Sequence, residues 1–230
     1  CLKAGADRFG WNGADRRPAQ RREGEWWIGT GMANACRVHN INEAQASVTL
    51  MADGTAIVAS DMTDIGTGTY AILGQIAGEM LGLDPADVLV QLGDTTLPPG
   101  SGSGGSWGAA STGSAVFEAC EAIREHLAEQ LGTTEEALTL KDGFAIAGNR
   151  RMSLPDLLAG AEVERTGHFK PGEITDAYAA AMYGAFFAEV AVNAYTGETR
   201  VRRFSGAFSM GRVLNEKTAT SQCMGGMVWG

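Results

Sequence analysis

A stretch rich in glycine and serine, residues 100–108, has the clearest potential for binding a ligand. Eight of its nine residues are Gly or Ser, and a helical pattern begins directly after it. Glycines let backbone N–H groups turn toward one point and let a ligand approach the main chain without meeting a Cβ atom. A helix start adds unpaired N–H donors and a positive dipole end. The stretch therefore predicts a site for the anionic oxygens of a ligand or cofactor.

A flexible linker is the alternative interpretation of the same stretch, because Gly and Ser are typical of mobile tethers. Two features disfavour it. Pro98 and Pro99 stiffen the chain just before the stretch, and Trp107 is an unusual residue to leave in a mobile linker.

A second glycine turn, Gly66-Thr67-Gly68-Thr69, also stands between a strand pattern and a helix pattern. On its own it indicates an ordinary helix cap, with Thr67 or Thr69 accepting a hydrogen bond from the first helical N–H groups. The two turns together predict that both loops line one pocket.

The nucleotide-binding patterns fit less well. Gly100, Gly102 and Gly105 formally satisfy G-x-G-x-x-G, but a dinucleotide site requires that motif inside a β-α-β unit with an acidic residue at the end of the second strand. Such a unit would have to span residues 88–131. The sequence disfavours it, because two prolines precede the motif, and it contains no G-x-x-x-x-G-K-[ST] pattern.

Other residue types offer little chemistry. The cysteines lie far apart, without a C-x-x-C pair or a histidine at ligand spacing, so a zinc site is disfavoured. Capping and turn roles account for Asp61, Asp64 and Asp94. The sequence shows no recognisable set of nucleophile and base, so no catalytic residue is assigned. The pattern is typical of the ligand-binding part of a site whose reactive groups lie elsewhere.

Composition and charge exclude several classes of protein. Hydrophobic residues make up 44% of the 230 residues and charged residues 20%, which is typical of a chain with a buried core rather than a disordered one. The net charge of −9 disfavours a nucleic-acid partner, and the one basic cluster, Arg16-Arg17 with Arg21-Arg22, is short and close to acidic residues. No stretch is apolar enough for a membrane span, and the compartment, cytoplasmic or periplasmic, is left open.

Periodicity and turn residues predict an α+β fold of hairpins with helices between them. Helices are expected at 1–10, 69–81, 110–131, 154–159 and from 215 onward. Strands are expected at 46–51, 55–60, 88–92, 185–193 and 198–208, with a further hairpin at 138–147. Three parts follow from this pattern: a helix tail and connector (1–44), a first subdomain with both glycine loops (45–160), and the start of a second subdomain (161–230), the polar stretch 160–176 being the expected boundary.

The ordered set of motifs resembles the molybdenum-binding subunit of the xanthine dehydrogenase and aldehyde oxidase family, and is most similar to aldehyde oxidoreductases of the bacterial periplasmic type. The motifs that carry the resemblance are 5–11 (GADRFGW), 61–70 (DMTDIGTGTY), 93–95 (GDT), 104–108 (GGSWG), 111–112 (ST), 183–190 (YGAFFAEV), 196–198 (TGE), 211–215 (GRVLN) and 221–222 (SQ) with Gly225. They occur in the family's order and cover nearly the whole chain.

The resemblance implies the second molybdopterin-binding domain of a molybdenum hydroxylase, which oxidises aldehydes or N-heterocycles with water as the oxygen source. It implies a molybdenum-bearing molybdopterin, in some members a cytosine dinucleotide. Partner subunits would carry 2Fe-2S clusters and FAD, and the remainder of the same subunit would complete the site. The alternatives are a ligand-binding module without catalysis and, more remotely, an NAD oxidoreductase.

The resemblance also assigns site residues in this sequence. It places Gly66 and Thr67 near the pterin, although some relatives have glutamine in place of Thr67, and Gln222 near the cofactor. It places six residues around the phosphates and the pterin: Gly104, Gly105, Ser106, Trp107, Gly108 and Ala109. The catalytic glutamate is expected downstream of residue 230, so the chain is expected to be an inactive fragment of a longer subunit.

Overall fold

The computed structural model describes residues 1–11 and 17–230, which divide into two compact units. The first unit consists of Cys1–Val38, Ala180–Val213 and Ala219–Gly230, and the second of His39–Ala179 and Leu214–Thr218. Arg16 of the predicted basic cluster lies outside the described residues.

The secondary structure is a mixture of helices and mainly antiparallel strands. The helices are α1 (Leu2–Phe9), α2 (Thr69–Leu81), α3 (Gly108–Leu131), α4 (Leu154–Leu158), α5 (Ile174–Ala177) and α6 (Glu216–Trp229). The strands are β1 (Arg21–Glu23), β2 (Trp26–Val38), β3 (Ala44–Leu50), β4 (Ala56–Ser60), β5 (Val88–Leu92), β6 (Thr139–Lys141), β7 (Phe144–Ala147), β8 (Arg150–Ser153), β9 (Val163–Phe169), β10 (Ala181–Asn193) and β11 (Thr199–Ser209). The predicted α+β class is confirmed. None of the described helices is long and apolar enough to cross a membrane.

An antiparallel sheet in the order β1-β2-β10-β11 forms the first unit. α1 packs on it through Phe9, whose ring stacks on Phe187 at a centroid distance of 5.6 Å. Gly10 ends α1 in the left-handed conformation with φ of 75°, as the sequence predicts.

The segment 11–44, expected to be a connector, contains the 13-residue strand β2. Only Trp26–Gly29 has a strand-like sequence, because the later residues of β2 are mostly small or polar and exposed. β2 pairs along its whole length with β10, a strand that is distant in sequence, and this pairing holds β2 in the extended conformation.

A sheet in the order β5-β4-β3-β9 forms the centre of the second unit. β4 and β5 are parallel and joined by α2, whereas the other pairs are antiparallel. This single β-α-β crossover spans residues 56–92 and was not predicted. The crossover that the dinucleotide-binding alternative requires over residues 88–131 does not form, because α3 is followed by β6 of another sheet.

The core of the second unit lies between its sheet, α2 and α3. The apolar residues of α3 that recur with the helical period predict a buried stripe, and all six are at most 4% exposed: Val116, Ala119, Cys120, Ile123, Leu127 and Leu131. The same period in α2 predicts a stripe that includes Tyr70, Leu73, Ala77 and Leu81; the last three are buried, but Tyr70 is 49% exposed and lies outside the core.

The expected boundary at 160–176 falls inside the second unit. β9 pairs with β3 over seven residues and packs against α3. Its burial alternates between buried and exposed positions, and one of the buried positions is Gly167. A strand that combines polar residues with a glycine under a helix is hard to distinguish from a polar linker.

Gly167 allows α3 to approach β9 closely. A Cβ atom at this position would lie 1.9 Å from the Ala115 carbonyl oxygen and 2.9 Å from the Ala119 nitrogen, both backbone atoms of α3. We expect Gly167→Ala to lower the free energy of unfolding by about 3 kcal/mol, at the upper end of typical overpacking, as measured by chemical denaturation. Gly172→Ala, where the added Cβ meets nothing within 4 Å, is the control, with an expected change within about 0.5 kcal/mol. Equal effects would contradict the close-approach argument.

Candidate cofactor site

The two glycine loops leave the same edge of the sheet in the second unit. β4 ends at Ser60 and β5 at Leu92, and these residues are register partners in the parallel pair. Loops at the carboxyl ends of neighbouring parallel strands form the crevice in which open α/β sheets bind ligands. The loops also contact each other, since the Thr63 and Ser103 hydroxyls are 2.5 Å apart and Ser103 Oγ donates to the Thr63 carbonyl at 2.9 Å. The loops are therefore in contact through these residues, and their lining of one pocket stays a prediction.

Hydrogen bonds fix the segment that leads into the second loop. The backbone N–H of Asp61 donates to the Pro98 carbonyl at 2.9 Å, and the Asp61 carboxylate accepts from the Gly100 N–H. On the other side, the Gln45 N–H donates to the Pro99 carbonyl at 2.6 Å. The start of the glycine stretch is therefore bonded into the sheet edge, as the stiff diproline predicts.

Asp64 closes the start of α2 and fixes the first loop. Its Oδ1 accepts from the backbone N–H groups of Gly66, Thr67 and Gly68 at 2.8, 3.0 and 3.2 Å, and its Oδ2 accepts from that of Tyr70 at 3.3 Å. The prediction that Thr67 or Thr69 caps this helix is wrong. Gly66 and Gly68 have φ of 94° and 89°, and this backbone turns the N–H groups toward the carboxylate.

The pKa of the Asp64 carboxyl lies below its ordinary value. Partial burial raises the pKa, but the backbone N–H donors of Gly66, Tyr70, Gly68 and Thr67 together lower it by more. The carboxylate is thus ionised at neutral pH. It already accepts from the backbone N–H groups at the start of α2 that would otherwise be available to an external anion.

Trp107 organises the tip of the second loop. Its indole N–H donates to the Gly102 carbonyl at 3.1 Å, and its backbone N–H donates to the Gly104 carbonyl at 3.2 Å. A Cβ at Gly105 would lie 2.2 Å from the indole ring and one at Gly104 3.0 Å from it. The expectation that ligand approach explains these two glycines is therefore unnecessary, since the tryptophan of the loop already excludes a larger residue at Gly105.

Met62, which the sequence analysis did not single out, packs beneath both ends of the second loop. It is 4% exposed. A Cβ at Gly108 would lie 2.4 Å from Met62 Cε, and one at Gly100 would lie 2.9 Å from the Met62 backbone nitrogen. The sequence signal was weak, because Met62 is one of two apolar residues in the loop 61–68 and the other, Ile65, is 72% exposed.

Two parts of the loops could contact a ligand. Gly66 and Gly102 have positive φ, and a Cβ built on either meets nothing within 4 Å. The start of α3 has no side-chain cap, and its first turn, unlike that of α2, has no carboxylate bonded to it. Helix starts with free N–H groups bind anionic groups.

A third segment of the second unit contacts the first loop. Asn215 Oδ1 accepts from the Thr218 N–H at 2.9 Å, and its amide Nδ2 donates to Gln75 of α2 at 2.9 Å. Thr218 Cγ2 lies 2.5 Å from the position of a Cβ at Gly68. The sequence signal for this third segment was the 211–215 motif. Gln222 lies further along α6, is exposed and belongs to the first unit.

The remaining candidate groups have simpler roles. Asp94 accepts from the Thr96 N–H and hydroxyl at 2.9 and 2.7 Å, which is the predicted turn role. Cys120 is buried in the core, and burial raises the pKa of its thiol to about 12. Among residues 1–11 and 17–230, no group of three or more His, Cys, Asp or Glu is placed to hold a metal ion.

Comparison with known proteins agrees with this arrangement. The family model of the molybdopterin cofactor-binding domain matches residues 4–230. The chain belongs to this family. The molybdopterin cofactor-binding domain is 41% identical, over all of its 230 residues, to the aldehyde oxidoreductase molybdenum-binding subunit PaoC of Escherichia coli K12. It is 33% identical over 220 residues to the probable hypoxanthine oxidase XdhD of the same organism.

Solved structures confirm the fold. Quinoline 2-oxidoreductase from Pseudomonas putida 86 has a TM-score of 0.82 at 21% identity, covering 97% of this domain and 32% of that chain. Aldehyde oxidoreductase from Desulfovibrio gigas has a TM-score of 0.69 at 22% identity, covering 94% of this domain and 24% of that chain. The domain spans 31% of the PaoC subunit and 22% of XdhD, so it corresponds to about a third or less of these relatives.

The contact between Gly105 and Trp107 can be tested by a double-mutant cycle. We expect Gly105→Ala to displace the indole and to lower the free energy of unfolding by about 2 kcal/mol, partly through the clash and partly through its φ of 46°. In a Trp107→Ala background the clash is absent, so a coupling of at least about 1 kcal/mol is expected from denaturation curves of the four proteins. Additive effects would show that the ring does not determine this glycine.

Proposed function

We propose that this domain is part of the molybdenum-binding subunit of a hydroxylase that oxidises aldehydes or N-heterocycles, with water as the oxygen source. The observation that carries the proposal is the 41% identity to an aldehyde oxidoreductase molybdenum-binding subunit over the whole chain. Aldehydes are the first substrate class to test, because identity to the probable hypoxanthine oxidase is lower, at 33%.

The loops fit an anionic pterin group. When bound, the molybdenum-bearing pterin supplies the oxidation chemistry, and the protein binds and orients it. Gly66 and Thr67 are proposed to face the pterin, since the Gly66 backbone borders open space. Residues 104–109 are proposed to hold its phosphate, because the uncapped start of α3 lies in this segment.

The segment between Arg37 and Arg124, which contains both loops, can bind an anionic group through backbone N–H donors rather than through cationic side chains. No Lys or Arg stands between Arg37 and Arg124 in the sequence. An anionic group at the loops would therefore be bound by N–H groups of the second loop and of α3, with Gln222 as a further proposed contact.

The proposed assembly has further components. The remainder of the subunit would complete the cofactor site and carry the catalytic glutamate. An iron–sulfur subunit and an FAD subunit would remove the electrons, and the cofactor would be molybdopterin, either alone or as a cytosine dinucleotide. PaoC is itself a molybdenum-binding subunit, and 6-hydroxypseudooxynicotine dehydrogenase subunit gamma, 30% identical over 191 residues, belongs to a complex.

The proposed function is tested by metal and pterin content. The full-length subunit, purified with its partners, is expected to contain about one molybdenum and one pterin per subunit and to oxidise aldehydes. The isolated 230 residues are expected to contain neither, because half of a cofactor pocket does not enclose its ligand. A complex without pterin would refute the cofactor role, and pterin without oxidation of any aldehyde or heterocycle would support a binding module without catalysis.

The anion-binding role of the α3 start can be tested at Ala109, which is exposed in the first turn of that helix. An acidic residue there stabilises the helix by about 0.3–1 kcal/mol but repels a bound phosphate. In the full-length complex, Ala109→Asp is therefore expected to keep or raise the melting temperature while losing most of the pterin. Ala109→Asn, of the same size without the charge, should keep more pterin. Equal pterin contents in the two variants would contradict the assignment.

A further inference from the structure

Two side chains, those of Asp64 and Thr218, contact the backbone of the first loop. Three consecutive N–H groups, those of Gly66, Thr67 and Gly68, point to Asp64 Oδ1. Thr218 packs against Gly68. The loop conformation depends on Asp64 in particular, because three N–H groups directed at one point repel one another unless an acceptor lies between them.

The two oxygens of Asp64 have separate partners. Oδ1 takes all three loop N–H groups, whereas Oδ2 takes only the Tyr70 N–H, which belongs to α2. An asparagine can place its carbonyl oxygen in the position of Oδ1 and keep the three loop bonds, but its amide NH₂ cannot accept from Tyr70. An alanine loses all four bonds.

We propose that Asp64 is a positioning residue of the cofactor site, acting through the three N–H groups that it fixes in the loop Ile65–Gly68. This inference rests on the proposed function, since it assumes that Gly66 and Thr67 face the pterin. In this proposal Asp64 fixes the backbone of the loop Ile65–Gly68, on which the pterin binds, and does not contact the pterin itself. A loop that is ordered before the cofactor binds does not lose conformational entropy on binding.

The test uses the full-length subunit in its complex, with Asp64→Ala, Asp64→Asn and the control Asp53→Ala. Asp53 has the same local chemistry, accepting from the Thr55 N–H and hydroxyl at 2.9 and 2.6 Å, but it lies in the β3–β4 turn, at the opposite end of β4 from the loops. The measurements are the rate at which purified enzyme loses pterin on dilution, the melting temperature, and amide hydrogen exchange in residues 65–70.

We expect Asp64→Ala to lose pterin at least tenfold faster than wild type and to exchange the Gly66–Gly68 amides faster. Asp64→Asn should lose pterin within about twofold of the wild-type rate, and Asp53→Ala should match wild type. A purely structural role for Asp64 would lower the melting temperature of Asp64→Ala without changing the rate of pterin loss.

Two results would overturn the inference alone: pterin loss from Asp64→Ala at the wild-type rate, or loss from Asp64→Asn as fast as from Asp64→Ala. If Asp64→Ala does not fold, Asp64→Ser takes its place, because the shorter hydroxyl cannot reach all three N–H groups. The rate of pterin loss from Asp64→Ser is then compared with that from Asp64→Asn. Absence of pterin from the wild-type complex would instead overturn the proposed function, and this inference with it.

Discussion

The parallel pairing of β4 with β5 is the constraint on which the candidate site depends. Because parallel neighbours end at the same edge of a sheet, the loops after Ser60 and Leu92 leave it side by side. Parallel pairing also requires a crossover connection, and α2 supplies it, so the first glycine loop necessarily stands at a helix start. The second loop leads into α3, whose buried stripe packs on β3 and β9. The contacts that form the core of the second unit therefore also determine where both loops lie.

Side chains of the two loops order both of them. Met62 of the first loop lies under both ends of the second loop, Trp107 bonds and packs across the tip of the second loop, and Asp64 accepts the N–H groups of the first loop. Glycines are required where rigid atoms of these residues come close, as at Gly105 against the Trp107 ring and at Gly100 against the Met62 backbone. At Gly66 and Gly102 the backbone faces open space instead. The glycine-rich composition thus has two origins, close packing within the loops and access to the loop surface, and only the second bears on a ligand.

Local patterns predicted much of this structure, and contacts between distant segments account for what was missed. α2 begins and ends where the sequence placed it, at Thr69 and Leu81, because helix periodicity and the glycine after it are local signals. β9 and the part of β2 after Gly29 were missed because pairing with distant strands, rather than their own sequences, holds them extended. The sequence predicted a capping or turn role for Asp64 as well as a threonine cap on α2, because Asp64, Thr67 and Thr69 are all residues that cap helices, and the structure confirms only the role of Asp64. The left-handed backbone at Gly66 and Gly68 decides the choice, and it is not visible in the sequence.

The position of the carboxylates explains how an acidic segment can face an anionic group. With no Lys or Arg between Arg37 and Arg124, Asp61 and Asp64 have no neighbouring cation in sequence, and both bond to backbone N–H groups of the loops. Each carboxylate therefore stabilises loop structure while its oxygens are turned toward the protein. If either side chain pointed into the space between the loops, it would repel a phosphate there. Because Asp64 already occupies the start of α2, the start of α3, which has no side-chain cap, is the one of these two helix starts at which we propose that an anion binds.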